Sequence, residues 1–316
     1  MLHRAGAIRF VQKIVPGRLD IVVVRAAGRT LIVDLFDNYD IDKVMLDNAD
    51  GYAKRGFRLD GYDDERIFPY GLNYAVYPAG PDLRIVARNG LRSSGHIGGD
   101  LLRALAVDRV LRWPTTSRVS DIRPHPATLQ TGRPAVVCFT RLWRPEEGEI
   151  SDDPSGRAAM NQYRIDCVRA LRRELGPRFV GGVRRSRYAL EHCPDCVVDR
   201  ATTGRDSYLD TVARTPIGVT TAGLERSVGY RMGEFVAMGR AIVTEPLFAR
   251  APGLLPDVNY VTFSSPDDCV AACVRLIEHP DDLNSIADAN AAYYEEYLRP
   301  DRVATRLLRS LDPTIV

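Results

Sequence analysis

Residues 233–239 read Gly-Glu-Phe-Val-Ala-Met-Gly and combine one carboxylate with an apolar segment that ends at a glycine. We interpret this order as a short helix that Glu234 opens, and the apolar residues 241–243 predict a strand directly after it. A helix N-terminus carries partial positive charge, and in α/β proteins it faces the carboxyl edge of the sheet. Glu234 there could accept hydrogen bonds from sugar or ribose hydroxyls, or it could be only a carboxylate that the helix dipole stabilises.

This segment resembles the nucleotide-sugar half of GT-B glycosyltransferases of the bacterial family 1/4 type. The resemblance continues through a glycine loop and short strand at residues 253–261, a helix at about 267–278 and a terminal helix. Upstream, Phe-Thr-Arg-Leu-Trp at residues 139–143 lies where the family begins its second domain, so the resemblance covers about residues 133–312. It implies an α/β fold of two Rossmann-like domains that face a cleft, with a C-terminal helix that crosses back to the first domain.

The resemblance also implies which residues bind the donor. In this family a basic residue after the first strand of the second domain contacts the donor phosphates, and Arg141 and Arg144 lie at that place. Ser227 and Arg231 precede Glu234 where the backbone turns into the predicted helix, and these three complete the candidate donor-binding set. Related families carry two glutamates eight positions apart in this region, whereas here the first glutamate lies nine positions before the second.

Aspartates crowd the exit of the predicted strand at residues 30–33, and they are Asp34, Asp37, Asp40 and Asp42. The carboxyl ends of strands in open α/β sheets face the ligand crevice. One of these carboxylates could therefore act as the catalytic base or anchor the acceptor hydroxyl, and Asp37 is our candidate. The alternative is that the cluster is solvated or caps a helix.

Three more residues are candidates on the acceptor side. His96 lies in the glycine-rich loop at residues 92–100 and could be a general base or an ordinary loop histidine. Lys54 and Arg55 end the sequence Tyr-Ala-Lys-Arg, and Pro-Tyr-Gly-Leu-Asn-Tyr follows at residues 69–74. Many bacterial glycosyltransferase-like proteins carry a similar pair of segments. We expect the two cations to bind a charged acceptor, unless they are only surface charge.

The length of 316 residues exceeds one ordinary hydrophobic core, so two domains are expected. Strand and helix patterns alternate after residue 134, which indicates a parallel, doubly wound sheet. A proline-rich stretch at residues 113–134 predicts the linker. We therefore assign an acceptor-side domain at 1–130, a nucleotide-sugar-binding domain at 131–299 and a returning helix at 300–316. One face of that helix is apolar, which predicts its packing on the first domain.

The composition excludes several other classes of protein. The net charge is only +2, so binding of nucleic acid by bulk charge is not indicated. Cys193 and Cys196 form a lone C-x-x-C pair without a second pair, and we interpret all six cysteines as reduced core thiols. The acidic pair at residues 152–153 lacks the strand that a metal motif of the other glycosyltransferase fold would need. We predict no metal ion and no cofactor, with the nucleotide-sugar as co-substrate.

We expect a metal-independent glycosyltransferase that moves a sugar from a nucleotide-sugar donor to an acceptor hydroxyl. The acceptor stays open between a glycan, a lipid carrier, a natural product, a protein and a modified DNA base. The alternative is a non-catalytic nucleotide-sugar-binding or partner module of the same fold, and a third possibility is a non-hydrolysing sugar epimerase. No apolar run is long enough to span a bilayer, and we expect a cytoplasmic protein.

Overall fold

A computed structural model of the chain shows an α/β protein with two separate sheets. The structure describes residues 21–74, 76, 122–145 and 154–314. Four strands form the first sheet and six form the second, and helices connect the strands of the second sheet. The predicted α/β class is therefore confirmed.

The first sheet begins with a hairpin and continues with parallel strands. Its strands, in spatial order, are β1 (Ile21–Ala26), β2 (Arg29–Asp34), β3 (Gly51–Lys54) and β4 (Ile67–Pro69). β1 and β2 are antiparallel, and the turn between them has φ of 49° at Ala27 and 75° at Gly28. Two positive φ values match the twist that a two-residue hairpin needs. β2, β3 and β4 are parallel, with helix α1 (Lys43–Asp47) between β2 and β3.

The second sheet is entirely parallel. Its strands are β5 (Val136–Thr140), β6 (Phe179–Arg184), β7 (Val197–Val198), β8 (Ile217–Thr220), β9 (Ala241–Thr244) and β10 (Val261–Thr262). Their spatial order is β7-β6-β5-β8-β9-β10, which is the 3-2-1-4-5-6 order of the doubly wound nucleotide-binding fold. The order reverses between β5 and β8, so that point is where a ligand is expected.

Helices cover both faces of the second sheet. They are α2 (Pro154–Leu175), α3 (Arg187–His192), α4 (Arg200–Thr203), α5 (Arg205–Arg214), α6 (Tyr230–Ala237), α7 (Pro266–Glu278) and α8 (Pro280–Tyr293). Alternate residues of a strand point to opposite faces. Val136 and Cys138 accordingly pack in the core beneath α2 and α7, whereas Val137 and Phe139 pack in the core beneath α5 and α6. All six cysteines are buried and free.

The C-terminal helix α9 (Pro300–Leu311) crosses back to the first sheet, as predicted. Leu311 packs against Leu31, Val33 and Ala53 of that sheet, and the side chain of Arg29 donates to the Leu311 carbonyl at 2.7 Å. Arg306 of α9 also donates to the carbonyl of Tyr70, just after β4, at 2.6 Å. The apolar face of the last helix is therefore covered by the first sheet.

The helix that precedes β9 begins earlier than the sequence pattern indicated. α6 starts at Tyr230, so Glu234 lies in its interior and does not open it. The glycine end is confirmed, because Gly239 adopts a φ of 64° just past the helix. In the described part of the chain no helix is long and apolar enough to span a bilayer.

Candidate functional site

Three segments meet where the strand order of the second sheet reverses. The loop after β5 begins at Arg141, the loop after β8 begins at Thr221, and helix α6 begins at Tyr230. Each lies at the carboxyl end of the parallel strands, where open α/β sheets bind their ligands. We call this region the switch-point site.

Helix α2 holds the loop after β5 through three polar side chains. Arg157 donates to the Arg144 carbonyl at 3.0 Å, and Asn161 bonds both the N–H and the C=O of Trp143 at 3.1 and 2.5 Å. Arg164 donates to the Arg141 carbonyl at 2.8 Å. Sequence reasoning missed these residues, although their spacing of four and then three places them on one helix face. Polar residues on the face that a helix turns to the sheet were the signal.

Arg164 also fastens the loop after β8. Its Nε donates to the Thr221 hydroxyl at 3.1 Å, and its Nη2 donates to the Ala222 carbonyl at 2.5 Å. Glu245, directly after β9, accepts from the Ala222 N–H at 2.7 Å. The guanidinium of Arg164 is buried, and this burial, with Arg231 nearby, lowers the pKa of Arg164 to about 10. A buried cation therefore lies beneath the site.

Further arginines surround this buried cation. Partial desolvation and the charges of Arg184 and Arg231 lower the pKa of Arg141, so each of these two guanidinium groups lies close enough to Arg141 to repel it. Arg184 ends β6, and Arg231 lies in the first turn of α6. Within the described residues none of these arginines forms an ion pair with a carboxylate. An anion bound here would offset both the repulsion and the desolvation.

The N-terminus of α6 adds backbone donors to the same place. Its cap residue is Gly229, which has no side chain to bond the first N–H groups of the helix. Ser227 is buried just before it, and its carbonyl accepts from the Gly223 N–H at 2.7 Å. Such N-terminal N–H groups, together with the helix dipole, favour phosphate. Ser227 and Arg231 are thus both at the switch-point site.

Glu234, by contrast, is occupied within the protein. Its carboxylate pairs with Arg205 of α5 at 2.5 Å and accepts from the Tyr208 hydroxyl at 2.8 Å. Burial and the neighbouring Glu234 charge raise the pKa of Tyr208 well above its usual value, which keeps that hydroxyl a donor. This corrects the expectation of a carboxylate at a helix start. Donor binding by Glu234 stays a prediction, but both oxygens already hold α5 against α6.

Arg141 and Arg144 occupy the loop that α2 holds. The guanidinium of Arg141 lies over the Trp143 ring, 3.3 Å from its centroid, which fixes the direction of an exposed side chain. Arg144 is half-buried. The charge of Arg231 contributes to the lowered pKa of Arg141, so these two guanidinium groups lie near each other at the switch-point site.

A small cleft separates the two sheets beside this site. Asp37, Arg55 and Asn73 line one wall, and Ser227, Val228 and Arg250 line the other. Asp37 is partly exposed there and forms an ion pair with Arg55. The side chain of Arg55 is almost buried, and it donates to the Val228 carbonyl across the cleft at 2.8 Å. Arg55 thus contacts the turn before α6 and not open solvent.

Lys54 is fully buried and does not reach the cleft. Its ammonium bonds the Asp34 carboxylate and the Asn38 side-chain oxygen, both at 2.9 Å. Asp34 also accepts from the Tyr52 hydroxyl at 2.6 Å. Because every partner is internal, Lys54 cannot bind an acceptor in this arrangement, and its visible role is to hold the loop that carries Asp37.

Other predicted features lie outside the described residues. These are His96 with its glycine-rich loop, and the acidic pair at residues 152–153. Within the ranges that the structure describes, no group of three or more histidine, cysteine, aspartate or glutamate side chains is arranged to hold a metal ion.

Comparisons with known proteins gave distant similarities. No protein-family model and no curated protein matches the chain. Among solved structures, it is similar to the C-terminal domain of a glycosyl transferase group 1 family protein (LpcC) from Francisella tularensis, at 13% identity over 56% of this chain and 95% of that one, with a TM-score of 0.38.

Two further structures are similar at the same level. Anabaena HepE, solved in complex with UDP-glucose, matches at 12% identity over 78% of this chain and 57% of that one, with a TM-score of 0.40. A putative UDP-N-acetylglucosamine 2-epimerase from Listeria monocytogenes matches at 13% identity over 58% and 46%, with a TM-score of 0.39. The chain thus spans about half the length of these two. TM-scores this low show only a distant likeness, so the function has to be inferred from the geometry of the chain itself.

Proposed function

We propose that the protein is a glycosyltransferase that binds a nucleotide-sugar at the switch-point site and transfers the sugar to an acceptor hydroxyl. The observation that carries this proposal is the group of arginines at the carboxyl edge of a 3-2-1-4-5-6 sheet, without carboxylate partners among the described residues. A diphosphate has the charge and the oxygen geometry that guanidinium groups and helix N-termini bind.

The loop after β5 favours a nucleotide-sugar over a dinucleotide cofactor. A dinucleotide-binding fold has a glycine-rich turn after its first strand, so that the backbone can approach the pyrophosphate. Here the corresponding residues 140–144 read Thr-Arg-Leu-Trp-Arg and contain no glycine. The glycines lie before α6, at Gly223 and Gly229, so the diphosphate would bind at that helix instead.

Transfer of the sugar requires a charged leaving group to be stabilised. The bond between the anomeric carbon and the phosphate oxygen breaks, and its electron pair stays on the nucleoside diphosphate. Arg141 and Arg231 would offset the charge that develops on that oxygen without a metal ion. The acceptor oxygen forms the new bond to the anomeric carbon and loses its proton. Asp37, which faces the second sheet across the cleft, is the base that we propose.

The remaining assignments are part of the same proposal. The nucleotide-sugar is a co-substrate, and no other cofactor is invoked. The acceptor is left open between a glycan, a lipid carrier, a natural product, a protein and a modified DNA base. Six buried free thiols support a reducing compartment, which agrees with the expected cytoplasmic location.

A ligand panel tests this function. Thermal unfolding would be followed with UDP, GDP, ADP, CDP and dTDP and with their glucose esters, because a bound ligand raises the melting temperature by mass action. We expect the ligands of one nucleobase to stabilise the protein, and we expect Arg231→Ala to remove most of that stabilisation. Arg178→Ala is the matched control, because Arg178 is an exposed arginine at the opposite edge of the same sheet. Stabilisation by none of the panel would refute the nucleotide site.

Catalysis is tested by release of the nucleoside diphosphate from the stabilising nucleotide-sugar, with water or a mixture of candidate acceptors. Release that depends on Asp37 and Arg141 supports a transferase. Tight binding without release under any of these conditions would favour the non-catalytic nucleotide-sugar-binding module.

A further inference from the structure

The turn that leads into α6 is held in a strained conformation. Glu225 and Arg226 adopt φ values of 54° and 59°, in the left-handed region that residues with a side chain rarely occupy. Two such residues in succession are costly, and neither is a glycine or an asparagine. Strain of this kind persists only where the surroundings impose it, and it is concentrated at functional sites. Contacts from outside the turn therefore have to hold it in this conformation.

The first sheet supplies two of the contacts that hold it. The Tyr39 hydroxyl donates to the Arg226 carbonyl at 3.2 Å, and Arg55 donates to the Val228 carbonyl at 2.8 Å. The Arg55 guanidinium also lies 4.8 Å from the centroid of the Tyr230 ring, at the first residue of α6. The Tyr39 bond is made to a strained residue itself, and the Arg55 bond is made two residues later in the same turn.

The two donors of the first sheet are themselves fixed. Arg55 donates to the Leu35 carbonyl at 3.3 Å and pairs with Asp37. The loop that carries Tyr39 is held at its neighbour Asn38 by the buried ammonium of Lys54. A rigid support of this kind can impose a conformation on the segment that it contacts, whereas a mobile one could not.

We propose that Tyr39 and Arg55 are positioning residues that hold the turn at residues 224–228 in its strained form. In that form the first N–H groups of α6 and the side chain of Arg231 are aligned for the diphosphate. This inference rests on the proposed function, and it reassigns Arg55 from the acceptor to the donor side. Docking of the first sheet thereby completes a donor site whose proposed phosphate-contacting groups belong to the second sheet.

A contact that merely joins the two sheets would behave differently from a positioning contact. Loss of a simple joining contact lowers stability and leaves the site intact whenever the protein is folded. Loss of a positioning contact lets the strained turn relax, so ligand affinity falls more than stability does. Glycine at residue 225 removes the side-chain strain at one of the two strained residues, so the turn then depends less on the contact.

The experiment measures binding of UDP and of inorganic pyrophosphate by calorimetry. Arg55→Met keeps the aliphatic stem and removes the charge-assisted bond, so we expect affinity to fall about tenfold. Arg55→Lys should recover part of it, and Tyr39→Phe should cost about threefold. Arg58→Met is the matched control, because Arg58 is an exposed arginine whose side chain pairs with Asp60 in the connection between β3 and β4.

The decisive variant is Arg55→Met combined with Glu225→Gly. If Arg55 holds the turn against its strain, the added glycine should restore part of the lost affinity, because only Arg226 then remains strained. Equal affinity of Arg55→Met and the parent, or no recovery in the double variant, would overturn the proposal.

Hydrogen exchange of residues 222–232 decides the matter independently of any ligand. We expect faster exchange in Arg55→Met than in the parent and in Arg58→Met. Unchanged exchange would overturn the proposal that Arg55 holds the turn. If the parent protein binds neither UDP nor pyrophosphate, the proposed function fails. The exchange result still determines whether Arg55 holds the turn.

Discussion

The carboxyl edges of the two sheets differ in whether their buried charges are paired. At the first sheet, Asp34 and Lys54 are both buried and bond each other at 2.9 Å, with further hydrogen bonds to internal partners. At the second sheet, Arg164 is buried beneath Arg141 and Arg231, and within the described residues no carboxylate pairs with any of the three. The same topological position therefore holds a neutralised pair in one sheet and an excess of positive charge in the other.

This difference separates structural charge from charge that is available to a ligand. Buried charges are costly unless they are paired, so a folded protein keeps an excess of one sign only where something else offsets it. The pair in the first sheet can be understood without a ligand. The three arginines at the edge of the second sheet have no ion-pair partner among the described residues, although the charge of Glu245 acts on Arg164, and this is the observation behind the anion site that we propose.

The largest expected effect comes from breaking the neutral edge. Lys54→Met leaves the Asp34 carboxylate buried without its cation, and loss of one partner of such a pair costs about 3–5 kcal/mol of unfolding free energy. Urea denaturation measures this loss. The double variant with Asp34→Leu should be more stable than Lys54→Met alone. If Lys54→Met unfolds like the parent, the pair is not the structural support that we describe.

Glu234 extends the comparison, because it is a carboxylate that Arg205 neutralises between two helices that pack on the second sheet. Glu234→Gln weakens its bonds to Arg205 and Tyr208, and we expect a loss of about 1.5–3 kcal/mol in unfolding free energy. Urea denaturation and UDP calorimetry should be measured on the same variant. Unchanged stability together with tenfold weaker UDP binding would restore the donor-binding role that the sequence indicated.

Much of the fold was predictable because its patterns are local. Strands at residues 30–33 and 241–243 and the helix at about 267–278 were placed within about two residues of their observed bounds, since each is a short apolar segment between glycine, proline or polar residues. The return of α9 was predicted from its apolar face together with the family resemblance. Helix α6 was the exception, because Gly229 caps it without a side chain and Glu234 was mistaken for its start.

The site was less predictable because its residues are joined by long-range contacts. Arg164 acts on residues 221 and 222, and nothing between them in the sequence indicates that contact. Lys54 and Arg55 are adjacent and looked equivalent, yet successive residues of a strand point to opposite sides. One therefore lies in the first sheet's interior, and the other crosses the cleft. Burial, which sequence does not show directly, decides between the two roles.

The contact that joins the two edges offers a third test. An ideal Cβ at Gly233 would lie 2.1 Å from the carbonyl oxygen of Asn73, which belongs to the segment that leaves the first sheet. Gly233→Ala should therefore push that segment away and cost about 1–3 kcal/mol of unfolding free energy. Gly229→Ala is the control, because nothing lies within 4 Å of its Cβ. Equal stability of the two variants would show that the segment yields easily.

The smallest effect on stability is expected at the cationic edge itself. Arg141 is exposed and its guanidinium lies among like charges, so Arg141→Ala removes repulsion as well as the contact with Trp143. We expect the unfolding free energy to change by less than about 0.5 kcal/mol.

In the same Arg141→Ala variant, release of the nucleoside diphosphate should fall more than donor affinity does, because phosphate charge grows as the glycosidic bond breaks. Arg141→Lys should recover only part of the rate, since lysine lacks the two-pronged geometry. A rate equal to the parent's would remove Arg141 from the site. A stability loss as large as that of Lys54→Met would mean that the two edges do not differ as described.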